Sequence, residues 1–424
     1  MLCEIEGPRK ISYGNKIDHS LDKGGVEMKL TELRQETIDR LILQFSERAG
    51  QLDAESRFPH QNLDELIDCG LHVANMPKQD GGLGYGFEET ITLLSHISKG
   101  CASTGLIMAM HYYSLGAFSE VLTSEQQASV FDDIRHSGEF IASVSDPNVI
   151  FIYQRKQMEG IPTITAEKTD GGYLVSGTKF TVTGAPRIKY LPIYCEYAPS
   201  SCTSQYGMTA LLMTLPSEGA AVEESWNYSG MRASMSHHIH FDQVFIPDHQ
   251  LIGREGYAIE DTEHLIYWFR LAVTAVYYGI AKAAYEHALG MAYKRNDRIS
   301  KKKSAFLPGQ QFRIADMKMK LDVAHSQLMA CAQQADREKK QTHYSSELYT
   351  KTLITKHFVT QAAEEIVELA SQVEGFSSLQ QGSLLERLSR DVKAAKFHPP
   401  SEDVLKEVIA KKELGIIPLK NRWV

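Results

Sequence analysis

The chain has 424 residues, too many for one small core, so two or three packed units are expected. Hydrophobic residues at 43% and charged residues at 23% lie in the globular range, and a formal net charge of −8 argues against a nucleic-acid binder, which relies on a basic surface. Cys3, Cys69, Cys101, Cys195, Cys202 and Cys331 include no CxxC pair. Neither a zinc knuckle nor a thioredoxin-type site is indicated, and reduced thiols in a cytoplasmic protein are expected.

The N-terminus, MLCEIEGPRKISYGNKIDHSLDKGG, is polar, without the apolar centre of a signal peptide. No run of about 18 apolar residues occurs, so no membrane span is expected. Residues 1–27 read as a flexible arm. From Met28, Leu33, Ile38, Leu41, Ile42 and Phe45 fall close to helical spacing, and Leu63, Leu66 and Ile67 predict a second short helix that stops at Gly70. The glycine cluster Pro77–Gly86 has neither the Rossmann nor the Walker context, so a tight inter-helix loop is expected rather than a phosphate loop. Phe87–Val121 reads as one or two buried helices.

The period changes near Glu139. Short strands are expected at Phe140–Val144, Pro162–Ala166, Lys179–Thr183, Tyr190–Tyr197, Met208–Thr214, Ala221–Trp226 and His238–Ile246, the last with a slip at Gln243. Asp170-Gly171-Gly172 predicts a hairpin turn into Tyr173–Ser176. Beyond Pro247 the chain reads as helical: Asp261–Asn296, Gln310–Lys340, Tyr344–Val373, then two shorter helices at Leu384–Lys396 and Glu402–Lys411. The fold class is α+β multidomain. The expected units are an arm (1–27), an N-terminal helical domain (28–137), a middle β-barrel or sandwich domain (138–250) and a C-terminal four-helix bundle (251–424).

Five motifs in this order resemble the acyl-CoA dehydrogenase superfamily: Ala142–Pro147, Gly177–Gly184, Ser229–Ser234 with the Phe241–Pro247 strand, Gln372–Phe376 and Leu385–Asp391. The resemblance implies an FAD oxidoreductase, usually a homotetramer or homodimer in which each FAD touches two subunits. Val144 and Ser145 would meet the flavin at the strand end. Thr181 and Thr183 would lie beside its ring, with the Thr183 hydroxyl towards N5. A donor there stabilises charge on the reduced ring. Arg295 would reach a neighbour's pyrophosphate, Gln372 and Gly375 the adenosine half, and Ser401 would also contact the cofactor.

The resemblance breaks at the base. The family's dehydrogenases remove an α-proton with a Glu held at one of two places. Here those places hold Pro399, within Phe397-His398-Pro399-Pro400-Ser401, and Phe269, just before Arg270. Asp261, Glu263, Glu402 and Asp403 are nearby acids that read equally well as helix N-terminal charges. Acyl-thioester α,β-dehydrogenation, with an acyl-CoA substrate and an electron-transfer flavoprotein as acceptor, is the default expectation. The alternative is a flavin monooxygenase of the same fold, using FAD or FMN reduced by a partner flavin reductase, with His398 as the catalytic residue near flavin C4a. A non-catalytic flavin-binding protein is the third reading. Lys301-Lys302-Lys303 is a candidate for CoA phosphates but reads as well as a solubility feature. His238 and His240 share a strand face, but no metal site is expected.

Overall fold

In a computed structural model the helix–sheet–helix order is built around one long buried helix. Residues 23–144, 164–204, 206–297, 299–341 and 343–415 are described, with side chains from residue 35. Residues 41–424 form one unit, described below; of residues 1–40, those from Lys23 are helical.

The N-terminal layer comprises α1 (Lys23–Ala54), α2 (His60–Asp68), α3 (Phe87–Gly100), α4 (Ala102–Val121) and α5 (Ser124–Ser137). The predicted buried stretch Phe87–Val121 is thus two helices, broken at Cys101 in extended backbone. The glycine cluster is an inter-helix loop. The first amides of α3, which could have served an anion, are taken by Asp336: Phe87 N donates to Oδ1 at 2.6 Å and Glu88 N to Oδ2 at 3.0 Å.

Among the described residues the middle layer is one eight-stranded sheet: β1 (Phe140–Ile141), β2 (Thr165–Thr169), β3 (Gly172–Val182), β4 (Ile188–Glu196), β5 (Met208–Thr214), β6 (Ala220–Glu223), β7 (His237–Pro247) and β8 (Leu251–Ile252). The order is β6-β7-β3-β2-β4-β5-β8, with β1 beside β4. β2 and β3 form the expected hairpin through Gly171 at φ +75°. The expected strand Lys179–Thr183 is not separate: it continues β3 across an irregularity in its pairing with β7. The slip at Gln243 is real. Asp242 and Gln243 are both exposed, Gln243 has φ +50°, and Ser176 Oγ accepts from its amide at 3.1 Å. The predicted strand at Pro162–Ala166 lies partly outside the described residues; its described part opens β2.

The C-terminal layer holds a short α6 (Ala258–Asp261), then α7 (Leu265–Lys294), α8 (Pro308–Lys340), α9 (Ser346–Glu374), α10 (Leu384–Asp391) and α11 (Glu402–Glu413). Helix α7 is mostly apolar and buried from Tyr267 to Ala281, packed against α3, α4, α8 and α9, and reaches the surface only towards its C-terminal end. Trp268 anchors this junction. It stacks on Phe87 at 3.8 Å, donates from Nε1 to Glu120 at 3.0 Å, and has the Lys339 ammonium 4.8 Å from its ring. Burying such a ring contributes about 2–3 kcal/mol. No helix among the described residues is long and apolar enough to cross a membrane.

Candidate active site

The segment Trp226–Ser236 joins the sheet to the bundle. Met231 and Met235 adopt left-handed backbone on either side of a turn at Arg232–Ser234. Met231 N donates to Asp391 Oδ1 at 2.6 Å, and Arg390 donates both to the Ser229 carbonyl and to Asp53. A Cβ on Gly230 would sit 2.4 Å from the Arg390 carbonyl, so only glycine lets the two backbones meet. Burial raises Asp391 to about 6, against the Met231 amide that favours its ionised form.

Beside this clasp lies a chain of hydroxyls. Ser234 and Ser236 bond at 2.9 Å, and Ser236 donates to Thr183 Oγ1 at 3.0 Å. Thr183 is 8% exposed, and no acceptor takes its own hydroxyl hydrogen among the described residues. Thr181 sits at φ +54° and is exposed, its amide donating to His238 Nδ1 at 3.3 Å. Val144 is buried, and its amide donates to the Tyr113 hydroxyl. Ser145 lies outside the described residues.

Tyr113 then meets Phe269 edge-on at 5.3 Å, so α4 links the end of β1 to the start of α7. Phe269 is buried. Arg270, beside it, donates to Thr352 at 3.1 Å and lies over the Tyr349 ring of α9. One turn along α9, Lys356 is 3% exposed and donates to the carbonyls of His398 and Pro400 at 2.8 and 2.9 Å. The two places where the resemblance leads one to seek a base thus lie along one connected wall. Neither presents a carboxylate. Asp261 is bound to Arg254, Glu402 to Lys406, and Glu263 is exposed. Asp403 is exposed in the first turn of α11.

His398 is half-buried, but its Nε2 is sealed from solvent without a partner. Burial, aided by the Lys356 charge, lowers it to about 3, so the imidazole is neutral at ordinary pH. Its ring is 5.7 Å from that of Tyr277, whose buried hydroxyl also lacks a partner. Ser401 stands at the N-cap of α11, and its hydroxyl caps nothing.

A second group forms at one end of the bundle. Arg295 donates to the Glu374 carbonyl; Gly375, next in the chain, has φ +77° and a Cβ there would lie 3.5 Å from the Arg295 guanidinium. Gln372 accepts from Arg313 at 3.1 Å. Arg295, Gln372 and Gly375 are therefore together, remote in the bundle from any bond to Thr183 or His398. Lys301, Lys302 and Lys303 are exposed. His240 bonds Thr178 and Glu223, so the His238–His240 pair is already engaged.

These residues fit a flavin. The cues are two orphaned buried polar atoms, a hydroxyl hydrogen without an acceptor, and a positive-φ glycine beside Arg295. Tyr113, Tyr277, Ser236 and Lys356 do not stand out in the sequence, and Arg270 does so only as the neighbour of Phe269. Lys356 had a signal: it falls on the apolar stripe Leu353, Val359 and Ala363, where a lysine is out of place.

A helical layer, a middle sheet and a helical bundle with this site define a flavoenzyme class. The acyl-CoA dehydrogenase N-terminal domain matches residues 30–135, and the acyl-CoA dehydrogenase C-terminal domain matches residues 271–400. The putative acyl-CoA dehydrogenase YdbM of Bacillus subtilis is 26% identical over 380 residues, 87% of this chain and 93% of that protein. Among solved structures, the dibenzothiophene monooxygenase TdsC of Paenibacillus sp. A11-2, with FMN and indole, has TM-score 0.81 at 19% identity, covering 90% and 96% of the two chains. Butyryl-CoA dehydrogenase of Megasphaera elsdenii has TM-score 0.78 at 18% identity, covering 94% and 100%. The chain belongs to the acyl-CoA dehydrogenase superfamily.

Proposed function

We propose that this chain is a flavin-dependent monooxygenase acting on a small molecule, with reduced flavin supplied by a partner reductase. The observation that carries the reading is the wall itself. Phe269 and the Phe397–Pro400 turn occupy both places for an α-proton base, Arg270 and Lys356 stand beside them, and the acid that acts on Lys356, Glu402, is itself ion-paired to Lys406. A carboxylate base is required to remove an α-proton as hydride leaves the β-carbon, and neither place provides one.

Bound flavin, once reduced, supplies the electrons for O2 activation. The chain's residues do the rest. Thr183, held by Ser236, offers its hydroxyl hydrogen at the ring. His398, neutral and shielded, orients through Nε2 rather than carrying charge. Phe269 and Tyr113 exclude water from the same wall. Arg295, Gly375 and Gln372 suit a pyrophosphate and adenosine, which favours FAD over FMN. A homo-oligomer accompanies this reading: Phe312, Met319 and Val323 form an exposed apolar stripe on one face of α8, continuous with the end that carries Arg313.

The second reading is acyl-thioester dehydrogenation with an electron-transfer flavoprotein as acceptor. The sequence relatives favour it. The two separate in one pair of assays. With reduced flavin and 18O2, the expected product carries one labelled oxygen atom. Anaerobic bleaching of the bound flavin by a saturated acyl-CoA would overturn the monooxygenase reading.

A further inference from the structure

We propose that Lys356 is a positioning residue, a latch that fixes the Phe397–Ser401 turn and with it His398. The inference rests on the reading of His398 as a group at the flavin. The ends of this turn are held by backbone bonds, Phe397 N to the Ala394 carbonyl at 3.1 Å and Leu405 N to the Ser401 carbonyl at 2.9 Å, but Pro399 and Pro400 between them have no amide hydrogen to give. Its carbonyls need a donor from elsewhere. Lys356, on α9, supplies one to His398 and one to Pro400, clasping Pro399 between them.

The placement is costly, which argues that it has a use. Burying an ammonium costs several kcal/mol unless it is compensated. No carboxylate forms an ion pair with Lys356 among the described residues: Glu402 of α11, the nearest acid acting on it, is bound to Lys406. Arg270 of α7 opposes its charge, and burial with that repulsion brings it down to about 8. An apolar residue at this point of the α9 stripe would pack without that cost. What it could not do is hold two carbonyls of a proline-bound turn. A neutral side chain would also remove the cation that helps keep His398 uncharged.

The test compares wild type with Lys356→Met and Lys356→Arg. His398 is labelled with diethyl pyrocarbonate in flavin-free protein, with exposed His249 as internal reference and mass spectrometry as readout. The expected result is at least tenfold faster labelling of His398 in K356M and a rate within twofold of wild type in K356R. Turnover with 18O2 is expected to fall at least tenfold in K356M, with flavin Kd within threefold, and to recover in K356R. Unchanged labelling in folded K356M overturns the latch. Faster labelling with unchanged turnover overturns the positioning role. Should K356M not fold, Lys356→Gln carries the same expectations. Absence of labelled product in wild type, with labelling as expected, instead refutes the monooxygenase reading and leaves the latch standing.

Discussion

At the scale of single residues, the protein buries several titratable groups around the candidate site, and each has a measurable signature. If His398 has the role proposed for it, His398→Ala is expected to cut turnover about 100-fold or more while flavin affinity stays within threefold, since its Nε2 makes no bond within the fold that the substitution would break. Equal losses in both would assign it to structure. Asp391 is held near 6 by burial, above its ordinary value near 3.8. Between those values the native state binds the proton more tightly than the unfolded chain, so stability falls as pH rises through the window. The full effect is roughly 3 kcal/mol at about 1.4 kcal/mol per pH unit. Asp391→Asn, which can still accept from Met231, is expected to flatten that slope in urea melts at pH 4–6.5.

At the scale of elements, two small contacts hold the layers in register. Asp336 of α8 satisfies two amides of α3, and Asp336→Ala is expected to cost about 1–2 kcal/mol in denaturant melts, since no other group caps those donors. Gly230 admits the clasp to α10; Gly230→Ala forces a Cβ to 2.4 Å from the Arg390 carbonyl and is expected to destabilise by about 1–3 kcal/mol and weaken flavin binding. Most elements were legible because their signals were local. The continuous apolar run of Met208–Thr214, the Asp-Gly-Gly turn and the slip at Gln243 are each written within a few residues. What could not be read was pairing across distance. That Tyr113 bridges Val144 and Phe269, or that Lys356 reaches the turn 42 residues on, depends on how α4, α7 and α9 stack.

At the scale of the whole molecule, the site is assembled from every layer: α4 and the end of β1, the β3 and β7 strands, α7, α9 and the turn before α11. On the proposed function no one of them would hold the chemistry alone, so activity is expected only when the layers dock. Arg295 and Gly375, at the far end of the bundle, provide the test of cofactor size. If Arg295 and Gly375 hold the adenosine half as proposed, Arg295→Ala is expected to weaken FAD at least tenfold and leave FMN within twofold by fluorescence titration. Phe312→Glu with Met319→Glu is expected to lower the mass measured by light scattering if α8 faces a second copy; an unchanged mass would remove that face from the interface.

The stack of Trp268 on Phe87 carries one more consequence. The chain has three tryptophans, of which Trp423 lies outside the described residues. Trp268 is sealed where α3, α4, α7 and α8 converge, whereas Trp226 is half-buried and donates to the Met231 carbonyl in the clasp. The two indoles are thus native optical probes of different events. With Trp423 also replaced by Phe, emission from a W226F variant follows the docking of the helical layers, and emission from W268F follows the closing of sheet on bundle. Superimposed transitions would describe a molecule that assembles in a single concerted step.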